Sequence, residues 1–89
     1  MRVRWTTHAA DDLADIVEYI RRDNPAAARR MAQTIYRGIA GLSSFPNSGR
    51  IGIAENTREL IFGSYVAVYE IVDNQVQVLR IRHAAQDWP

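Results

Sequence analysis

At 89 residues the chain has room for a single domain spanning 1–89 and one modest core, and a 47% hydrophobic, 24% charged composition excludes a disordered chain. It contains no cysteine, which excludes disulfides, a thiol nucleophile and thiolate metal sites and fits a reducing compartment. A net charge of only +1 excludes strong long-range steering onto nucleic acid.

The elements follow in chain order. Val3 and Trp5 alternate with Arg2 and Arg4, the period of a half-buried strand. Thr6 or Thr7 then caps a helix, with Asp11 and Asp12 expected in its first turn. Ala9, Leu13, Ile16 and Ile20 recur at helical spacing, with Val17 at the stripe's edge. Asn24-Pro25 ends this helix and starts a second, from about Pro25 to Leu42. Ala28, Met31, Ile35, Ile39 and Leu42 form its apolar stripe, and the short link makes the pair an antiparallel hairpin.

The connection SSFPNSGRIGIAENT is long enough to be functional or pinned by its own side chains. Three strand-like runs follow, TRELIF, YVAVYEIV and QVQVLRIR, separated by the hairpin turns Gly63-Ser64 and Asp73-Asn74. The expected fold is α+β, in the order β-α-α-β-β-β. A helical hairpin packs on one face of a small, twisted, mostly antiparallel sheet. The first strand joins an edge of the meander that the sequence leaves open. Val76 and Val78 share one parity, Leu79 and Ile81 the other. A bulge near Val78-Leu79 therefore turns all four inward, points Arg80 and Arg82 away from the helices and returns His83 to the core side at the rim. No apolar run approaches the roughly 18 residues of a membrane span, and the charged start is no signal peptide, so a cytoplasmic protein is expected.

The chemistry-bearing residues are few. His8 and His83 lie far apart without ligand spacing, so no metal site is expected, and His8 reads as a surface or capping residue. There is no Walker sequence, GxGxxG or GxSxG, and no cofactor is expected. All eleven basic residues are arginine. This removes lysine chemistry and leaves planar donors for phosphate or carboxylate. The remaining set is Arg50, Arg58, Tyr65, Tyr69, Arg80, Arg82, His83 and Gln86. Metal-free RNA cleavage needs a base, an acid and cations around the phosphorane. His83 fills one proton-transfer role, with Tyr65, Tyr69, Glu59 and Asp87 as candidates for the other. Structural roles compete: core filling for the tyrosines, pairing with Glu59 or Glu70 for Arg58 and Arg80, a structural hydrogen bond for His83, and an apolar plug for Trp88.

The opening VRWTTHAADDLADIVEYI, the helix break DNPAAARR, and then FPNSGRIG, TRELIF and YVAVYEIVDNQVQVLRIRH together resemble the RelE/ParE superfamily of toxins from type II toxin–antitoxin modules. The resemblance implies a bacterial cytosolic toxin, neutralised by a co-expressed antitoxin whose flexible segment wraps around it. RelE-like members cut mRNA on the ribosome, and ParE-like members inhibit DNA gyrase. RelE-like enzymes typically carry an arginine where this chain has Val66, a basic residue near Gln86, and lysines that are absent here. The LRIRH ending resembles the ParE-like branch. That branch implies no catalysis and a contact surface formed by Arg50, Arg58, Arg80, Arg82, His83, Gln86 and Trp88. The alternative, a metal-independent mRNA endoribonuclease, would use Arg58, Tyr65, Arg80 and His83.

Overall fold

A computed structural model describes residues 1–85, so Gln86 and Trp88 lie outside the described residues. The elements are β1 (Arg2–Trp5), α1 (Thr7–Arg21), α2 (Pro25–Ala40), a 3-10 turn (Gly41–Ser43), β2 (Arg50–Ile51), β3 (Thr57–Phe62), β4 (Tyr65–Val72) and β5 (Gln75–His83). The sheet order is β1-β5-β4-β3-β2. All neighbours are antiparallel except β1, which runs parallel to β5. The helical hairpin and the mixed sheet agree with the expected α+β class. β2 is an addition: two residues inside the long connection, too short to show a period.

Local chemistry accounts for the helix ends. The Thr6 hydroxyl accepts the Ala9 N–H, and the Asn24 side chain accepts that of Ala27, with Pro25 at the first helical position. Because α1 starts at Thr7, Asp11 and Asp12 fall in its second turn, and its first turn carries no acidic residue. Both hairpin turns use positive φ, at Gly63 in one and at Asp73 and Asn74 in the other.

Ala9 of α1, Ile35 and Ile39 of α2, Leu42, and Ala67, Tyr69, Val76, Val78 and Ile81 of the sheet form the core. In β5 the register jumps: Tyr69 pairs with Val78 and Val68 with Arg80, so Leu79 is bulged. The bulge keeps Val76, Val78 and Ile81 facing the helices. Leu79 itself is only half-buried and lies outside the core, so three residues turn inward rather than four. Opposite Val68 and Val66 in the register, Arg80 and Arg82 belong to the second face, while His83 pairs with Tyr65 on the first.

That second face is not an open array of guanidinium groups. Val66, Val68, Glu59 and Arg82 on it are all buried. Glu59 Oε1 accepts both Nε and Nη2 of Arg50, at 3.0 and 2.9 Å. Glu59 Oε2 accepts the Ile53 N–H and stands 3.5 Å from Arg82 Nη2. One carboxylate thus ties β2, the residues after it and the end of β5 to β3.

The connection before β2 is pinned from the other face. The Tyr69 hydroxyl accepts the Gly49 N–H at 3.0 Å and donates to the Pro46 carbonyl at 2.7 Å. Arg58 Nη1 donates to the Gly49 and Asn47 carbonyls at 2.8 and 3.3 Å. A Cβ at residue 49 would stand 2.7 Å from the Tyr69 hydroxyl and 2.9 Å from the Glu59 carbonyl, so this approach requires glycine. Replacing Tyr69 with Phe leaves both backbone groups without their partner and is expected to cost about 1–3 kcal/mol. Denaturant unfolding checks the cost, and amide exchange at Gly49 should accelerate selectively.

Candidate functional site

The residues singled out from the sequence divide between two places. Tyr65, Arg80, Arg82 and His83 gather at the end of the sheet where β4 begins and β5 finishes, around a depression of about 430 Å³. Asp12, Asp15, Ile16 and Tyr19 of α1 complete its wall. Arg50 and Arg58 stand away from it, holding the pinned loop. The acidic wall was missed at the sequence level because Asp12 and Asp15 read as the solvated face of an amphipathic helix.

The backbone explains how α1 reaches this site. β1 pairs with β5 only as far as Trp5 and Val78, and α1 then lies along the strand edge that β1 leaves. The Thr6 N–H and hydroxyl donate to the Val78 carbonyl, and the hydroxyl also contacts that of Leu79. Asp12 Oδ2 accepts the Ile81 N–H at 2.9 Å, standing where a neighbouring strand would. The same carboxylate grips Arg80 through two bonds, Nε to Oδ2 at 2.8 Å and Nη2 to Oδ1 at 3.1 Å. The guanidinium of Arg80 therefore turns past the sheet edge to α1 instead of lying out over the second face. The hydrogen bonds to Asp12 hold its pKa above the usual arginine value. Stability from a raised basic group is lost only as pH rises through the folded pKa, so this pair persists across the neutral range.

His83 is exposed at the rim, as expected, with its ring edge-on to Tyr65 at a centroid distance of 5.5 Å. Its Nδ1 accepts the Ala85 N–H at 3.1 Å, which places the proton of the neutral ring on Nε2. Tyr65 and His83 are thus neighbours, and the Arg80 charge beside them is offset by Asp12. Arg82 is 7% exposed and set against Glu59. Among the described residues no group of three His, Cys, Asp or Glu side chains gathers closely enough to hold a metal ion.

A second surface lies on the helical side. Ala10, Leu13, Ala14 and Val17 of α1 face a trough of about 530 Å³ walled by Trp5, Tyr36 and Glu18. Trp5 and Tyr36 stack at 6.4 Å. The α1 positions follow i, i+3, i+4, i+7 spacing, and the two alanines keep the trough open. Val17, read from the sequence as the edge of the core stripe, belongs to this wall.

The family model for the ParE toxin of the type II toxin–antitoxin system parDE matches residues 3–88. The chain belongs to the ParE toxin family. This ParE-family chain is 39% identical over 90 residues to the Y4kP protein of Sinorhizobium fredii, covering 99% of this chain and 93% of that one. It is 36% identical over 85 residues to toxin RelE2 of Caulobacter vibrioides, covering 96% and 97%. A solved chain of the chromosomal ParDE system from P. aeruginosa superposes with a TM-score of 0.84 at 25% identity, covering 93% and 95%. A chain of the RelBE2 toxin–antitoxin complex from Mycobacterium tuberculosis gives 0.68 at 28% identity, covering 92% and 95%. No helix among the described residues is long and apolar enough to cross a membrane.

The Asp12 contacts give a graded expectation. Asp12→Asn keeps an oxygen for the Ile81 N–H but loses the charge, and Arg80 is more than a third exposed, so the cost should be about 1 kcal/mol or less. Asp12→Ala also orphans that N–H and should cost about 1–3 kcal/mol. Paired urea titrations read the difference.

Proposed function

We propose that the chain is a toxin neutralised by a cognate antitoxin, and that it acts by binding DNA gyrase rather than by cutting RNA. The observation that carries the reading is the state of the cations around His83 in a ParE-family chain. A ribonuclease needs guanidinium charge to meet the phosphorane. Here Arg80 is held bidentately by Asp12, Arg82 is buried against Glu59, and Asp15 adds negative charge to the wall. Arg58, the fourth member of the nuclease set, is committed to the loop carbonyls. The exposed His83, edge-on to a half-buried Tyr65, suits contact with a protein surface better than attack on a phosphate. A cytoplasmic site of action follows from this reading.

A second reading keeps one specific observation: Tyr65, Arg80 and His83 do converge on a single depression, as a metal-independent endoribonuclease would require. The relative RelE2 and the RelBE2 structure carry the names of the corresponding branch.

The helical trough supports the antitoxin part. It is apolar, and its spacing along α1 matches the anchors of an amphipathic segment laid in a groove. Glu18 at its wall is engaged by Arg21 at 2.9 Å, which holds its carboxyl below the usual range. A Val17→Glu chain should fold but lose co-purification with the antitoxin encoded beside it, while its toxicity persists. Retained co-purification places the antitoxin elsewhere.

The target is tested with purified protein. Gyrase supercoiling should be inhibited, and ribosome-bound mRNA should stay intact. His83→Ala should weaken gyrase inhibition in a graded way, with no all-or-none loss. Codon-specific mRNA cleavage that drops by about 10²–10⁴ in His83→Ala reverses the assignment to the nuclease reading.

A further inference from the structure

Arg80 carries the most accessible guanidinium of the His83 depression, and the chain itself already occupies it. Its side chain is 39% exposed, yet its Nε–Nη2 edge is closed by Asp12, at 2.8 and 3.1 Å. Two parallel N–H···O bonds along one edge of a guanidinium are also the arrangement in which arginine takes a phosphate. The Asp12 carboxylate thus stands where two phosphate oxygens would. It is firmly held there. Its Oδ2 also accepts the Ile81 N–H at 2.9 Å, and Thr6 ties the start of α1 to the Val78 carbonyl. A phosphate entering this edge has to displace an anion fixed by three hydrogen bonds. It also has to pass Asp15, one turn further along α1 on the same wall, whose carboxylate takes part in no hydrogen bond or ion pair among the described residues. The opposite wall is not hostile to an anion, since His83 keeps the proton of its neutral ring on Nε2.

We propose that Asp12 is the specificity-determining residue of this depression: it closes a phosphate-binding edge on Arg80 and so keeps RNA out of a site that contacts protein. The anion this edge would take without Asp12 is a phosphate mono- or diester. Arg80 has interactions beyond these bonds, but it is Asp12 that covers the Nε–Nη2 edge. A brace that merely fixes α1 to β5 and a closure that excludes phosphate both predict lost stability when the carboxylate is removed. Only the closure predicts a gained affinity.

This inference rests on the reading of the depression as a protein contact, but not on gyrase being that protein. Full chains with isotope-labelled arginine are titrated with inorganic phosphate and with a short single-stranded RNA, and the arginine Nε–H resonances are followed. Asp12→Asn keeps an oxygen for the Ile81 N–H and should fold. It should bind both probes at least about tenfold more tightly than the parent, with the Arg80 signal moving. Asp12→Glu keeps the charge and should stay near the parent. Asp73→Asn makes the same change in net charge in the β4–β5 turn, at the opposite end of β5, where asparagine suits the positive φ, and should also bind as the parent does. Adding Arg80→Gln to Asp12→Asn should abolish the gain. If that double variant does not fold, the Arg80 signal in Asp12→Asn decides: movement on titration supports the closure, and binding without movement overturns it. Equal affinity in the parent and Asp12→Asn overturns the proposal. So does an equal gain in Asp73→Asn, which would be net charge alone, or in Asp12→Glu. So does a gain that survives Arg80→Gln, which would place the anion elsewhere. A parent that excludes both probes yet leaves gyrase untouched removes gyrase as the target, while a gain in Asp12→Asn still establishes the role of Asp12. A parent that binds RNA through Arg80 with Asp12 in place overturns the proposal and the protein-contact reading together.

Discussion

The bulge at Leu79 is the constraint on which the rest depends. An unbroken alternation along β5 would put Arg80 and Arg82 on the same face as Val76 and Val78, beneath the helices and inside the core. The desolvation of two guanidiniums there would outweigh anything their neighbours return. One extra residue shifts the parity. Val76, Val78 and Ile81 then face Ile35 and Ile39, Arg82 lies opposite Val66 within reach of Glu59, and His83 comes level with Tyr65. The bulge also coincides with the point where β1 stops pairing. It therefore opens a stretch of β5 edge, and α1 fills that stretch through Thr6 and Asp12. A local irregularity in one strand sets the position of the helix, both arginines and the histidine at the rim.

The bulge was legible because it leaves a local trace: apolar residues change parity between Val78 and Leu79. The helices, their caps at Thr6 and Asn24 and the two hairpin turns were legible for the same reason, since each depends on residues within four positions of one another. What escaped was non-local. β2 is two residues long and has no period of its own. The parallel pairing of β1 with β5 depends on where the helical hairpin returns the chain to the sheet, which no residue in β1 records. Asp12 and Arg80 are 68 positions apart and meet only because α1 is laid against a strand edge. Asp12 was visible as a helix residue, but nothing near it in sequence marks it as the partner of a strand.

The site was therefore read with the right residue types and an incomplete account of their engagements. Arginines suggested a cationic face, and three of the four singled out are in ion pairs: Arg50 and Arg82 with Glu59, Arg80 with Asp12. Arg58 is spent on backbone carbonyls. The physical reason is the scarcity of alternatives in a small chain. With 89 residues and no cysteine to form a disulfide, long connections are held by side chains that reach, and the guanidinium reaches farthest and donates most.

That economy bears on function. A buried carboxylate with two arginines adds little net stability compared with an apolar cluster of the same volume, because desolvation consumes most of the attraction. Its value here lies in geometry. Glu59 is bonded at once to Arg50 on the edge strand, to the Ile53 backbone and to the end of β5. Tyr69 holds the same loop from the opposite face of the sheet through Pro46 and Gly49. An apolar replacement could fill the space but would let the loop drift over several conformations. The helical trough is fixed by the core beneath it, and the loop by this polar lattice. Arg50 and Arg58, expected to line a contact face, instead hold this loop in place.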